Sequence, residues 1–239
     1  MMERGNVIIH TEGNRFNNFV KGIGVIIAYF LINIYKGYPL AILHIDYNSL
    51  TVFAKELYTF SIELVTLTVI FIIFEKEFKK AWADLKKNHM KYFSENFKYY
   101  VVGFVIMYSA NFLITILGGG ISGNETIVRE QLKLAPIFSF VSSIFIAPVV
   151  EESIFRLSFR SIFKSDLLFV LVSGLIFGSL HLIAGVDTSL TLLYLIAYSG
   201  FGFVFSYMMV KTNNIFVPIG FHMMHNGILV TIQLIHFFF

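Results

Sequence analysis

The sequence is dominated by apolar runs that are long enough, or nearly long enough, to cross a lipid bilayer. A membrane-spanning helix needs about 20 predominantly apolar residues, because the hydrocarbon core is about 30 Å thick. Seven runs approach or reach this length: residues 22–35, 57–74, 99–117, 135–163, 167–185, 189–210 and 214–239. Since 56% of the residues are hydrophobic and only 14% are charged, we predict an all-α, polytopic membrane helical bundle with about seven transmembrane helices in one integral domain.

The polar segments between these runs predict the orientation of the bundle. Residues 75–98 contain seven lysines and Trp82, a pattern typical of an amphipathic surface helix in a basic cytoplasmic loop. The positive-inside rule then places the N-terminus in the cytoplasm and the C-terminus outside. Residues 1–134 are expected to hold the N-terminal transmembrane helices and this loop. The net charge of +3 gives no indication of nucleic-acid binding, and the absence of cysteine excludes thiol catalysis.

Three polar clusters lie inside apolar runs, where a charged side chain costs at least about 2.5 kcal/mol at the bilayer centre. The first is Glu151-Glu152 with Arg156, the second is "FGSLH" at 177–181, and the third is "HMMHN" at 222–226. Ionisable residues at this depth are functional-site candidates by default.

Helical geometry separates the two adjacent glutamates. Glu152 and Arg156 are four residues apart, with the acid on the N-terminal side, so they can form an ion pair along one helix face. Glu151 points about 100° away and has no local cation, which favours it as a general base. Pro148 is expected to kink the helix and to free a backbone carbonyl near the site.

Other intramembrane residues allow simpler predictions. His222 and Asn226 are four residues apart, so they share a helix face and can converge on one atom. Gly174 and Gly178 form a small-xxx-small pair that lets a neighbouring helix approach closely. Glu63 has no evident partner in the sequence and is assigned a structural role.

The three clusters carry a resemblance to a known family. Glu151-Glu152-Ser-Ile-Phe-Arg156, Phe177-Gly-Ser-Leu-His181 and His222-Met-Met-His-Asn226 resemble the EExxxR, FxxxH and HxxxN motifs of the CPBP family. These are CAAX-protease and bacteriocin-processing membrane proteases, also called Abi proteins. The motifs occur in order within residues 135–239, so this region is identified as the catalytic membrane core.

The resemblance implies an intramembrane endopeptidase whose active site is buried between the fourth, fifth and seventh predicted helices. It implies that a glutamate-activated water attacks the peptide bond and that a His/Asn pair binds the oxyanion. The implied roles are Glu151 as base, His181 as its partner, His222 and Asn226 as the oxyanion site, and Glu152, Arg156 and Phe177 as supporting residues.

The implied substrate is a membrane-associated peptide or protein in a bacterial cell membrane, in peptide maturation or bacteriocin immunity. No cofactor is required in the favoured mechanism, although Glu151, His181 and His222 are also a suitable ligand set for zinc. Two rival functions are a catalytically silent scaffold or signalling regulator and an ion-coupled transporter. The sequence shows no internal repeat of the kind that many transporters contain.

Overall fold

The computed structural model describes residues 15–238, and these residues form helices and their connections without any strand. The all-α prediction is therefore confirmed for this part of the chain, while the first 14 residues of the predicted cytoplasmic N-terminus lie outside it. The longer helices are α1 Arg15–Tyr35, α2 Val52–Ile73, α3 Glu75–Ile116, α4 Gly123–Leu134, α5 Pro136–Ile162, α6 Asp166–Leu180, α7 Thr191–Thr212 and α8 Phe216–Phe238. A short helix, Tyr38–Ile42, and two 3-10 turns, Tyr47–Ser49 and Thr188–Leu190, lie in the connections.

Five of the described helices, α1, α2, α3, α5 and α7, are long and apolar enough to cross a membrane. Helix α6 is apolar but has only 15 residues and ends at Leu180, whereas the sequence predicts a span that continues to residue 185. Helix α8 has 23 residues and contains the polar 222–226 cluster. The structure thus supports five spans by length and composition, and the full set of seven stays a prediction.

The basic segment 75–98 is not a separate loop. It is helical, as predicted, but it continues without interruption into the next apolar run as the 42-residue helix α3. At about 1.5 Å per residue this helix is roughly twice as long as the hydrocarbon core is thick, so its polar half projects beyond the membrane. The side chain of Asn214, in the α7–α8 turn, donates to the carbonyl of Ala81 and to Asp84 Oδ2, each at 2.8 Å. The predicted surface helix is therefore present, and these bonds fix it to the core.

The buried core surrounds the second half of α5. Ile154, Phe155 and Leu157 are each at most 5% exposed, and they belong to a cluster to which most of the other helices contribute. Those helices supply Val25, Ile70, Phe78, Phe169, Met209 and Ile219. The segment that carries Glu152 and Arg156 is therefore at the centre of the molecule.

Helices α6 and α7 approach each other through glycines. A Cβ atom on Gly178 would lie 2.8 Å from the backbone nitrogen of Ser199, and one on Gly174 would lie 2.9 Å from that of Phe203. On the facing helix, a Cβ on Gly202 would lie 2.6 Å from the carbonyl oxygen of Gly174. The predicted close approach at the small-xxx-small pair is confirmed, and it holds the end of α6 against α7.

Helix α5 departs from regular α geometry at two places. Residues Ser142–Ile146 and Ser153–Ser158 form π-helical segments within an otherwise continuous helix. π-Bulges of this kind occur frequently at functional sites. The two segments flank Glu151 and Glu152, so they change the direction in which this part of the helix presents its side chains and carbonyls.

Candidate active site

The centre of the site is a fully buried ion pair on α5. Arg156 Nε lies 3.0 Å from Glu152 Oε2, and neither side chain is exposed. The guanidinium also donates to Ser173 Oγ at 3.2 Å and lies over the ring of Phe177, 4.9 Å from its centroid. These contacts confirm the predicted Glu152–Arg156 pair and show that Phe177 packs directly against it. A buried pair needs such additional contacts because desolvation of two charges is costly.

His222 links this ion pair to the second glutamate. Its Nδ1 lies 2.9 Å from Glu152 Oε1 and its Nε2 lies 3.8 Å from Glu151 Oε2. Because Glu152 faces the guanidinium of Arg156, its carboxylate accepts, and Nδ1 of His222 is the donor. The contact joins residues 70 positions apart in the sequence. It was not predicted, since His222 was assigned to the oxyanion site or, alternatively, to a zinc ligand set with Glu151 and His181.

Glu151 lies beside this network, and its Oε2 atom is not hydrogen-bonded to His222. Its Oε2 atom is buried and has no hydrogen-bond partner, while the side chain as a whole is 26% exposed. Of the described histidines, only His222 has a nitrogen within 4.0 Å of the Glu151 carboxylate. The structure therefore places His222 closer to Glu151 than His181, and direct cooperation of Glu151 with His181 stays a prediction.

His181 immediately follows the last residue of α6. Its Nδ1 lies 2.8 Å from the carbonyl oxygen of Phe177. A carbonyl oxygen can only accept, so Nδ1 carries the proton and Nε2 is left with a lone pair in the neutral ring. The ring stacks on Tyr198 with centroids 4.9 Å apart, and the Tyr198 hydroxyl lies 2.5 Å from Ser122 Oγ. Tyr198 was missed by the sequence analysis because a tyrosine in an apolar run gives no signal of this stacking.

Asn226 is held by a backbone carbonyl that the π-helical segment of α5 leaves free. Its Nδ2 donates to the carbonyl oxygen of Ser143 at 2.8 Å. The N–H of Ala147 bonds to Ser142 instead of Ser143, and Pro148, next in π register, has no N–H to donate. The predicted free carbonyl near Pro148 is confirmed, and it belongs to Ser143. The second N–H of the Asn226 carboxamide is not used by this bond.

The four predicted catalytic side chains line one cavity of about 570 Å³, within the usual range for ligand sites. Glu151 comes from α5, His181 from the end of α6, and His222 and Asn226 from α8, so the predicted location between these helices matches the cavity. Helices α3, α4 and α7 complete the walls. Further polar lining residues, to which the motifs assign no role, are Asn111, Thr115, Ser122, Asn124, Glu125, Arg129, Ser143, Tyr194, Tyr198, His225 and Gln233.

Glu151, His181 and His222 are the side chains that the sequence offers as zinc ligands. Among residues 15–238, no group of three or more histidine, aspartate or glutamate side chains is arranged to hold a metal ion. One nitrogen of His222 is occupied by Glu152, and the other is 3.8 Å from Glu151. The arrangement of the described residues does not fit a zinc site.

Comparison with known proteins identifies the region that contains this cavity. Residues 133–228 match the family model described as type II CAAX prenyl endopeptidase Rce1-like. Over this segment the chain is similar to the Rce1-like family. The matched segment contains all three motifs, and the resemblance to the CAAX-protease and bacteriocin-processing proteins is confirmed by it.

Two curated bacterial proteins are also similar to this chain. One is YdiL of Bacillus subtilis strain 168, named as a membrane peptidase, which is 30% identical over 151 residues. The other is MroQ of Staphylococcus aureus strain USA300, named a membrane-embedded CAAX protease, which is 29% identical over 151 residues. The alignments cover 56% and 57% of this chain and 58% of each relative, so the chain spans somewhat more than half of their length. No solved structure matches the chain.

Proposed function

We propose that this protein is an intramembrane endopeptidase that hydrolyses a peptide bond with a water molecule activated by Glu151. The observation that carries the proposal is the shared cavity, which Glu151, His181, His222 and Asn226 all line. A hydrolase needs a base for water and donors for the developing oxyanion at one point. The cavity lies among apolar helices, so the substrate is a membrane-associated peptide or protein.

Glu151 supplies the base in the first step. Its carboxylate, which lines the cavity and is partly exposed, accepts a proton from water while the water oxygen forms a bond to the scissile carbonyl carbon. The unprotonated Nε2 of His181 is available to accept the second hydrogen bond of this water and orient it. The products of this step are a protonated Glu151 and a tetrahedral intermediate with one negatively charged oxygen.

His222 and Asn226 stabilise that oxygen. In the proposed role both ring nitrogens of His222 carry a proton: Nδ1–H donates to Glu152, and Nε2–H is offered to the oxygen in the cavity. The unused N–H of Asn226 is the second donor. In the last step the C–N bond breaks, the proton held by Glu151 passes to the leaving nitrogen, and the acyl product retains the oxygen that came from water. Arg156 holds the Glu152 side chain in place beside His222.

The biological setting is proposed from the relatives. Both are bacterial and are named as membrane peptidases or proteases, which supports a location in a bacterial cell membrane. Maturation of a membrane-associated peptide, or immunity to a bacteriocin, is the corresponding role. The relatives' names support a peptidase over a transporter.

The proposal is tested with purified protein in detergent and a set of lipidated and unmodified peptides. Cleavage should fall by about 10²- to 10⁴-fold in Glu151→Gln and fall strongly in His181→Ala. Glu130→Gln, which alters an exposed glutamate of α4 outside the cavity, serves as the matched control and should be fully active.

A chelator separates the two mechanisms in the same assay. We expect no effect on the wild-type rate, whereas loss of activity that zinc restores would establish a metalloprotease. Full activity of Glu151→Gln would refute the assignment of the base. Absence of cleavage, together with a Glu151→Gln variant that still supports the cellular phenotype, would establish a scaffold or regulatory role instead.

A further inference from the structure

Glu63 is an intramembrane carboxylate outside the three motifs, and the structure gives it a partner. Ser142 Oγ donates to Glu63 Oε2 at 2.6 Å, joining α2 to α5 across 79 positions of sequence. A distance of 2.6 Å is at the short end of the range for a hydroxyl hydrogen bond. A glutamate inside a span is costly, so its presence at this contact needs a reason beyond filling space between two apolar helices.

The bonded serine is the first residue of the π-helical segment that holds Asn226. The carbonyl of Ser142 accepts from the N–H of Ala147, and the carbonyl of the next residue, Ser143, accepts from Asn226 Nδ2. Two consecutive residues of α5 therefore bond in different directions. The side chain of Ser142 is tied to α2, and the carbonyl of Ser143 is tied to α8.

The two possible helix registers compete for the carbonyl of Ser143. In regular α geometry the N–H of Ala147 would bond to Ser143, four residues earlier, and would compete with Asn226 for that oxygen. In the observed π geometry Ala147 bonds to Ser142, and Ser143 is available. The bond between Glu63 and the Ser142 side chain anchors this residue. We expect this anchor to favour the π register, in which the Ser143 carbonyl is free to accept from Asn226.

We propose that Glu63 is a positioning residue for Asn226, acting through Ser142 and the π-helical segment of α5. This inference rests on the proposed function, in which Asn226 donates to the oxyanion. Glu63 does not line the catalytic cavity. It fixes the carbonyl that orients the Asn226 carboxamide, and in this way it controls how well the second N–H of Asn226 is aimed into the cavity.

The first test needs no enzymatic activity. Protein labelled with ¹⁵N-asparagine is studied by NMR, and the Asn226 carboxamide signal is assigned from its loss in Asn226→Ala. The signal should shift in Glu63→Leu and in Ser142→Ala. Ser139→Ala is the matched control, because Ser139 lies one turn earlier on the same helix, is buried, and has an Oγ atom without a hydrogen-bond partner. It should leave the signal in place.

The second test is kinetic. In Glu63→Leu, kcat should fall roughly tenfold or more with KM nearly unchanged, since misaligned donors weaken transition-state binding. Glu63→Gln keeps an acceptor oxygen and should recover most of the rate. In an Asn226→Ala background, Glu63→Leu should cause no further loss, because both changes remove the same interaction.

The outcomes distinguish this inference from the proposed function. An unchanged Asn226 signal in Glu63→Leu and Ser142→Ala would overturn the positioning role whatever the activity. If the Asn226 signal shifts in these variants but the wild-type protein cleaves no peptide, the coupling between Glu63 and Asn226 is upheld and the proposed peptidase activity is refuted. Equal losses of kcat from Glu63→Leu in the wild-type and Asn226→Ala backgrounds would show that Glu63 acts by another route. Thermal unfolding of each variant checks that it is folded.

Discussion

At the scale of single residues, two glutamates that are adjacent in sequence have different surroundings. Glu152 is fully buried and contacts both Arg156 and His222. Glu151 is partly exposed to the cavity and keeps an oxygen without a hydrogen bond. This difference follows from the 100° between successive helical side chains, which turns one glutamate into the core and the other towards the cavity.

The two glutamates should therefore differ in what their replacement does. Glu152→Ala leaves the buried Arg156 guanidinium without its counter-ion, and we expect it to destabilise the protein by about 3–5 kcal/mol. Glu151→Gln should leave the unfolding transition nearly unchanged while it removes activity. Thermal unfolding of the purified variants in one detergent compares their stabilities, and peptide cleavage measures the loss of activity.

Two further variants test whether the unpaired charge of Arg156 causes the loss of stability in Glu152→Ala. Glu152→Gln preserves the shape and an acceptor for His222, so it should be less destabilised than Glu152→Ala. Replacing both Glu152 and Arg156 by apolar residues of similar volume removes the uncompensated charge and should recover stability. If Glu152→Ala unfolds at the wild-type temperature, the ion pair does not stabilise the fold.

The sequence predicts local contacts at this scale and misses distant ones. The Glu152–Arg156 pair follows from i,i+4 spacing on one helix. The bonds from His222 to Glu152 and from Ser142 to Glu63 join residues 70 and 79 positions apart. They depend on how three helices pack against one another, which spacing along a single helix does not contain.

At the scale of helices, the apolar runs predict where helices occur better than where they end. Helix α3 crosses the predicted boundary at residue 98 because the polar segment before it contains no glycine or proline to stop a helix. Polarity marks where a helix leaves the membrane, not where it ends. Helix α5 shows the converse limit: Pro148 predicts that the regular hydrogen bonding is interrupted, but the π register and the carbonyl that it frees are visible only in the structure.

The contact between α6 and α7 allows a prediction at this scale. Gly178→Ala would place a Cβ atom 2.1 Å from Ser199 Oγ and 2.8 Å from the Ser199 backbone nitrogen. Because the backbone atom cannot rotate away, the helices must separate, and we expect a loss of about 1–3 kcal/mol. His181 ends this helix, so activity should fall as well. Thermal unfolding and peptide cleavage measure the two effects.

A second glycine provides the matched control for Gly178. Gly24 lies within α1, where a Cβ atom would meet nothing within 4 Å. Gly24→Ala should leave activity unchanged and should stabilise the helix by up to about 1 kcal/mol. Equal stability of Gly178→Ala and the wild-type protein would show that α6 and α7 do not need this close approach.

At the scale of the whole molecule, the two ends of helix α3 differ in charge. The projecting half of α3 carries the lysine-rich segment at one end. The α3–α4 connection lies at the other end of α3, and the carbonyl of Gly120 in it accepts from Tyr194 of α7. The positive-inside rule then predicts that residues 75–98 face the cytoplasm and that the α3–α4 connection faces outward.

This orientation can be measured directly because the chain contains no cysteine. Single cysteines are introduced at Lys87, which is exposed on the projecting half of α3, and at Gly120, where a Cβ atom meets nothing within 4 Å. In intact cells a membrane-impermeant maleimide should label Gly120→Cys and not Lys87→Cys. Permeabilised cells, in which both should react, provide the control for accessibility. The reverse pattern would invert the orientation and place the basic segment outside, in conflict with the charge rule. Labelling of both positions from outside would show that α3 does not cross the membrane, and the five-span arrangement would then lose its longest helix.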